Sequence, residues 1–190
     1  MGGDKHRRLF RGRPLLVHTA ERLQAVAGDL LVVGGEEGVA SWLQESLPGA
    51  RWVPDRFPGL GPLAGLHAGL LASPTRWCLC LAVDQPLVEI RLLQLLLDSR
   101  QGVRAVIPRA GGHLQPLTAA YSTDCAPVVE ESLRSGELRA HVVAQRLEAR
   151  VLEEGEVRRV DPELRSFVNL NTPAELERWS SWGGPAGDLR

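Results

Sequence analysis

The sequence predicts an α/β protein built on a mostly parallel sheet with helices on both faces. Short apolar runs alternate with stretches of helical periodicity along nearly all of its 190 residues, the pattern of successive βαβ units. The runs 30–33 and 77–83 are continuously apolar rather than alternating, as in strands covered on two faces. The composition is 44% hydrophobic and 24% charged, with a formal net charge of -1. That suits one compact domain with a real core, and not a disordered, collagen-like or disulfide-dense chain.

The elements follow in order. Residues 14–27 read as a helix: Pro14 suits a first turn, Leu15, Leu16, Thr19, Leu23 and Val26 lie close to one face, and Gly28 stops it. Leu30–Val33 is a buried strand that runs into a Gly34-Gly35 turn, and 37–46 is a second helix. Residues 51–53 form a short strand before a Gly/Pro-rich loop over 54–62. Residues 63–71 are helical, with glycines that permit close packing. The run 77–83, ending at Asp84, has a central-strand pattern, and a Leu-rich helix follows over 88–97. Residues 103–108 form a strand, and Gly111-Gly112 turns the chain towards a hairpin strand at 117–121. Helices at 125–133 and 139–147, strands around Val151 and Phe167, and a last helix over 173–179 complete the domain. Domain boundaries are expected at 1–179, with 180–190 a frayed tail.

Several function classes drop out. No run of about 18 apolar residues exists to span a membrane, and no signal-peptide pattern opens the chain. Near-neutral charge argues against nucleic acid as the main partner. Cys78, Cys80 and Cys125 lack the pairing of a zinc site and read as reduced thiols of a cytoplasmic protein. The five histidines show no metal-ligand spacing, and the five tryptophans read as packing residues.

Rare residues point to a site. Of 22 Lys plus Arg, only Lys5 is lysine, and the only asparagines are Asn169 and Asn171. Lys5 lies in Gly2-Gly3-Asp4-Lys5, where backbone N–H groups and an ammonium could meet phosphate; a frayed terminus is the competing reading. Asp84, in Leu-Ala-Val-Asp-Gln-Pro, stands just past an apolar strand, where open α/β sheets bind ligands and a carboxylate can share Mg²⁺ with phosphates. The same residue could equally be a helix N-cap. Asp55, Gly61 and Gly65 lie in a glycine-rich loop and helix start that could admit a nucleoside or simply be a mobile surface loop. Asn169 and Asn171 would share one face of a strand, while Thr172-Pro173-Ala-Glu175 spells a capping box. Gly112, Gln115 and Leu117 could line a groove, although a hairpin explains most of that pattern, and Arg139 could meet a phosphate or be a solvated helix residue.

Read together, M-G-G-D-K, L-F-R-G-R-P-L-L, G-P-L-A-G, L-A-V-D-Q-P and F-V-N-L-N-T-P-A-E-L closely resemble the molybdenum cofactor guanylyltransferase family, in order and spacing, to about Trp179. The resemblance implies a three-layer Rossmann-like nucleotidyltransferase fold. It implies transfer of GMP from GTP to molybdenum-molybdopterin with release of pyrophosphate, and molybdoenzymes or their chaperones as recipients. By the same resemblance Lys5 holds phosphates, Asp84 ligates Mg²⁺, Asp55, Gly61 and Gly65 surround the nucleotide, and Asn169 and Asn171 face the reacting phosphates or the pterin. A CTP-using molybdopterin cytidylyltransferase and a noncatalytic cofactor-binding partner are the alternatives. In one respect the chain departs from the family pattern: the family opens with a strand and a longer glycine-rich loop, L-A-G-G-x-S-x-R, before the M-G-G-x-D-K motif. The resemblance therefore implies an N-terminally truncated form, in which the strands flanking a central position have unpaired edges.

Overall fold

The computed structural model describes residues 7–35 and 38–180. Lys5 and its glycines, and the tail beyond Ser180, lie outside the described residues.

A small antiparallel hairpin comes first, β1 (Leu9–Phe10) and β2 (Arg13–Pro14), turning through Arg11 and Gly12, both at positive φ. The sequence gives little sign of it, because two-residue strands carry no periodicity. Helix α1 (Leu15–Gln24) follows, then β3 (Leu30–Val33), α2 (Gly38–Ser46) and β4 (Ala50–Val53). β3 and β4 pair in parallel, from Leu30 opposite Ala50 to Val33 opposite Val53. Helix α3 (Pro62–Ala72) crosses to β5 (Trp77–Leu81), and α4 (Ile90–Asp98) leads to β6 (Ala105–Ala110).

The Gly111-Gly112 turn joins β6 to the short β7 (His113–Leu114), and the chain then enters β8 (Thr118–Ser122). β8 is more than a hairpin arm. It lies between β5 and β6, antiparallel to both, so β5 and β6 share one sense. After α5 (Ala126–Arg134) and α6 (Ala140–Arg146), β9 (Arg150–Leu152) joins the far side of β6 in parallel. A one-turn helix α7 (Glu154–Val157), started by a Glu153–Glu156 capping box, and the final α8 (Pro173–Ser180) complete the described chain. The fold is α/β with a mixed sheet. Its parallel framework has β8 running the other way.

The five-stranded sheet alternates its side chains between two apolar layers, as a period of two requires. Cys78, Cys80, Ala105, Ile107, Ala119 and Tyr121 pack against α3, α5 and α6. Their neighbours Trp77, Leu79, Val106, Ala120 and Leu152 pack against α4 and α7 on the other face. Cys78 and Cys80 share one face as their spacing predicts, and burial pushes the Cys80 thiol up to about 12. Trp42 and Trp52 pack with α1, α2, β3 and β4, Trp77 with α4, and Trp179 with β1, so the tryptophans in the described residues serve packing.

Two expectations are corrected. Residues 77–83 read as a central strand, yet β5 ends the larger sheet, and β3–β4 form a separate two-stranded one among the described residues. The strand expected around Phe167 is a 3₁₀ turn, Arg165–Phe167. The buried Asp161 carboxylate captures the N–H groups of Arg165 and Ser166 at 3.0 and 2.8 Å, and Leu164 takes a left-handed φ of 55°, which curls the chain out of strand geometry.

Candidate functional site

The site is built at the carboxyl ends of β3, β4 and β5. Asp55 lies two residues past β4 and Asp84 three past β5, each at the carboxyl end of its strand, the position at which open α/β sheets bind ligands.

Asp84 lies in a turn that is pinned from several directions. The Gln85 N–H donates to the Ala82 carbonyl at 3.1 Å, and the Ala82 N–H to the Leu117 carbonyl at 2.9 Å. The buried Thr118 hydroxyl donates to Oε1 of the buried Gln85, and the Thr19 hydroxyl of α1 to the Val83 carbonyl at 3.1 Å. Helix α4 begins at Ile90 with Glu89 as its N-cap, so the capping reading of Asp84 is set aside. The carboxylate is held at a strand end by a rigid turn.

The two asparagines reach the same place. The Leu170 N–H donates to the Asp84 carbonyl at 2.8 Å, while the Leu170 side chain is buried with Phe10 and Leu15. Asn169 and Asn171, on either side of it, are exposed. The segment is locked from its other end by α8. Glu175 accepts from the N–H groups of Asn171 and Thr172 at 2.9 and 2.8 Å, and its own N–H donates to the Thr172 hydroxyl at 3.2 Å. Those backbone donors hold the Glu175 carboxyl below its usual range. The predicted capping box is thus present, and it positions the asparagine segment beside Asp84. The Arg8 guanidinium donates to the Asn171 carbonyl and brings the start of the described chain to the same corner.

Asp55 is at the far side. Gly34, at φ 80°, sits so close that a Cβ there would lie 3.3 Å from Asp55 Oδ2. Asp55 Oδ1 is buried without a hydrogen-bond partner among the described residues, and burial raises the carboxyl above its ordinary range. An orphaned acceptor at a sheet edge suits a ligand hydroxyl or N–H. Gly61 takes φ 76° as the N-cap of α3 and lets Pro62 start the helix. Gly65 faces β3, where a Cβ would make only an ordinary 4.0 Å contact with a Val33 methyl, so packing does not by itself require glycine there.

Arg139 pairs elsewhere. Its guanidinium grips Glu137 at 2.9 and 2.6 Å, and the Glu137 carboxyl is held down to about 2 by that pairing. Gln115, Pro116 and Leu117 act as a clamp: the Tyr121 hydroxyl donates to the Pro116 carbonyl at 2.7 Å, and Leu117 holds the end of β5. The sequence reading missed Arg8, Gln85 and Gly34. Arg8 is one arginine among many, but Gly34-Gly35 after an apolar run was a visible mark of a strand's carboxyl end.

Among the described residues no cluster of three or more His, Cys, Asp or Glu side chains could cage a metal. A single carboxylate at a sheet edge suits Mg²⁺ only when phosphate oxygens complete the donor set.

Residues 1–151 match the MobA-like NTP transferase domain. A probable molybdenum cofactor guanylyltransferase of Deinococcus radiodurans is 37% identical over 186 residues, 96% of this chain and 88% of that protein. One from Pelotomaculum thermopropionicum is 32% identical over 179 residues, 93% of this chain and 87% of that protein. The crystal structure of molybdopterin-guanine dinucleotide biosynthesis protein A from Archaeoglobus fulgidus superimposes with a TM-score of 0.78 at 28% identity, covering 92% of this chain and 87% of that one. A 2-C-methyl-D-erythritol 4-phosphate cytidylyltransferase from Thermus thermophilus shares the fold at a TM-score of 0.65 and 19% identity.

Proposed function

The chain belongs to the MobA-like NTP transferase family, and from that premise we propose that it transfers GMP from GTP to molybdenum-molybdopterin. The observation that supports this reading most is the gathering of Asp84, Asn169 and Asn171 at one strand end through the bond from Leu170 to Asp84. In the reaction an oxygen of the molybdopterin phosphate attacks the α-phosphorus of GTP. The bond from that phosphorus to the bridging oxygen breaks, and pyrophosphate leaves with the oxygen. The nucleophile is already anionic, so the site needs charge neutralisation and alignment rather than a general base.

Each residue then has a task. Asp84 would hold Mg²⁺, which when bound would offset phosphate charge. Lys5 adds a positive charge on the phosphates. The amides of Asn169 and Asn171 orient the phosphates or the pterin side from a backbone that the α8 capping box keeps rigid. Asp55 accepts from the nucleoside, with Gly61 and Gly65 shaping the backbone around it. Arg139 stays with Glu137 or turns to a phosphate of the second substrate. Molybdoenzymes or their chaperones receive the product, in the cytoplasm.

Pyrophosphate release from GTP and from CTP, each with Mg²⁺ and molybdenum-molybdopterin, tests the reading. GTP should be used in strong preference. A preference for CTP would make the chain a cytidylyltransferase, and no release with either would favour a noncatalytic cofactor-binding role.

A further inference from the structure

The loop between β4 and α3 carries Asp55 near its start and Gly61 at its end. Between them it turns at Phe57, whose carbonyl accepts from the Leu60 N–H at 3.3 Å. Phe57 and Leu60 pack this loop onto the apolar layer that α3, α5 and α6 share. The Phe57 ring meets the His67 imidazole of α3 edge to face, with centroids 5.4 Å apart and planes at 65°. From α5, the Arg134 guanidinium lies 5.8 Å from the centre of the same Phe57 ring.

These contacts close on themselves. Arg134 donates to Glu130 Oε1 at 3.0 and 2.6 Å, and Glu130 Oε2 lies 3.6 Å from His67 Nε2. Phe57 thus rests on an imidazole and a guanidinium that face one carboxylate. The His67 side chain is only 2% exposed, and among the described residues neither ring nitrogen has a hydrogen bond. A buried polar ring left in this state is costly, and an aliphatic side chain would fill the place without that cost. The neutral ring gives Phe57 an uncharged contact. A protonated ring would close the 3.6 Å gap to Glu130 towards the ~2.8 Å of a charge-assisted bond, so the ring and the carboxylate would have to move together. It would also set a second positive charge near Arg134, on the other side of Phe57, and near Arg56 of the loop itself.

We propose that His67 is a positioning residue for the nucleotide: through Phe57 it fixes the loop that carries Asp55, and proton uptake by the imidazole loosens that loop. The proposal rests on the reading that Asp55 accepts from the nucleoside. Neither Phe57 nor His67 touches a reacting atom, so the pair governs how well the nucleotide is held and leaves the displacement at phosphorus alone. The groups around the imidazole are Phe57 and Arg56 from the loop and Glu130 and Arg134 from α5. Burial first, then Arg56 and Arg134, favour the neutral ring, and Glu130 opposes them. The loop is therefore fixed above the ordinary 6.5 and is released only as pH falls below it, through the lower folded value.

The test compares the unchanged chain with Phe57→Ala, Phe57→Tyr and His67→Leu. Amide hydrogen exchange over 54–62 without substrates reads the loop, and pyrophosphate release reads the KM for GTP and for molybdenum-molybdopterin separately. Phe57→Ala should speed exchange in the loop at least ~10-fold. It should raise the KM for GTP about 10-fold, with kcat and the KM for molybdenum-molybdopterin changed by less than about 2-fold. Phe57→Tyr keeps the ring and should restore most of both. As pH is lowered from about 7.5 to about 5, loop exchange and the KM for GTP should rise at least ~3-fold more in the unchanged chain than in His67→Leu. Titration of Asp55 and of the nucleotide phosphates is common to both proteins and cancels in that ratio. Loop exchange in Phe57→Ala that equals the unchanged chain's overturns the proposal, and so do parallel pH profiles for the unchanged chain and His67→Leu. A kcat that falls with stability while the KM for GTP stays put also overturns it, since the cluster would then serve packing alone. Loop exchange that follows Phe57 and His67 as expected, in a chain that uses neither GTP nor CTP, would support the anchor and overturn the nucleotide reading, so the two failures are distinct.

Discussion

Asp84 and His67 show how differently two polar side chains can be held in one fold. Asp84 is set at a strand end by backbone bonds on both sides, and it caps no helix. Asp84→Ala should therefore lower kcat by at least about 100-fold. It should change stability by less than about 1 kcal/mol. Pyrophosphate release and urea unfolding on the same preparation check this, and a loss of activity that merely follows a loss of folding would remove Asp84 from the chemistry. His67 is buried on α3, with neither ring nitrogen hydrogen-bonded among the described residues and with Glu130 Oε2 3.6 Å from Nε2, within ionic reach only. Burial pushes the imidazole below its ordinary 6.5, against the pull of Glu130, while Arg56 and Arg134 push it further down. The unfolded chain thus takes up a proton that the folded chain resists. The stability held by the neutral ring is complete above 6.5 and is lost as pH falls through 6.5 towards the lower folded value. Urea midpoints at about pH 7.5 and about pH 5.5 should differ more for this chain than for His67→Leu, which keeps an apolar side chain and cannot titrate. Equal pH slopes in the two proteins would show that His67 does not set this dependence.

At the level of elements, local signals were legible wherever their cause is local. Thr172-Pro-Ala-Glu175 spelled a helix start, and the box forms, with Glu175 reaching back to two N–H groups. Thr172→Ala should cost about 1 kcal/mol in urea denaturation. It should also raise the KM for the substrate that Asn169 and Asn171 are proposed to contact, because the Asn171 N–H shares the Glu175 carboxylate. An unchanged KM alongside the stability loss would uncouple the cap from the site. Leu30–Val33 was read with its true bounds, because an uninterrupted apolar run ending in Gly34-Gly35 leaves little choice. What could not be read depends on distant partners. The curl at Arg165–Phe167 is made by Asp161, whose role as a buried acceptor has no signature in a run of residues that otherwise suits a strand. The placement of β8 between β5 and β6, rather than at the end of a hairpin, is a choice of pairing among strands of similar composition. The candidate residues could be named from the sequence as residue types, and the bond from Leu170 that sets Asn169 and Asn171 beside Asp84 could not be foreseen.

At the scale of the whole molecule, stability should be uneven. The core of the five-stranded sheet is covered on both faces, by α3, α5 and α6 on one and by α4 and α7 on the other, and Val106, Ile107, Ala119 and Ala120 are fully buried within it. The β3–β4 pair has its own cluster, Leu30, Val39, Leu43 and Leu47, and no strand joins it to the larger sheet among the described residues. What connects the two is α1 and α3, each packed against both β3 and β5. Helix packing without a shared ladder lets one unit open while the other stays closed, because no backbone bond need break in the remaining sheet. In the 190-residue chain, amides of β3 and β4 should then exchange at least ~10-fold faster than those of β6 and β8, under conditions where exchange reports opening equilibria. Hydrogen exchange with peptide-level mass spectrometry resolves the two groups. If all four strands exchange together at the slowest rate, the two sheets unfold as one unit, and α1 and α3 alone couple them as firmly as a ladder would. The separation has a consequence for the site. Asp55 and Gly34 ride on the β3–β4 unit and Asp84 on the larger sheet. A nucleotide held by both should slow exchange in β3 and β4 more than in β6 and β8, as expected for a ligand that binds only when the two units are docked.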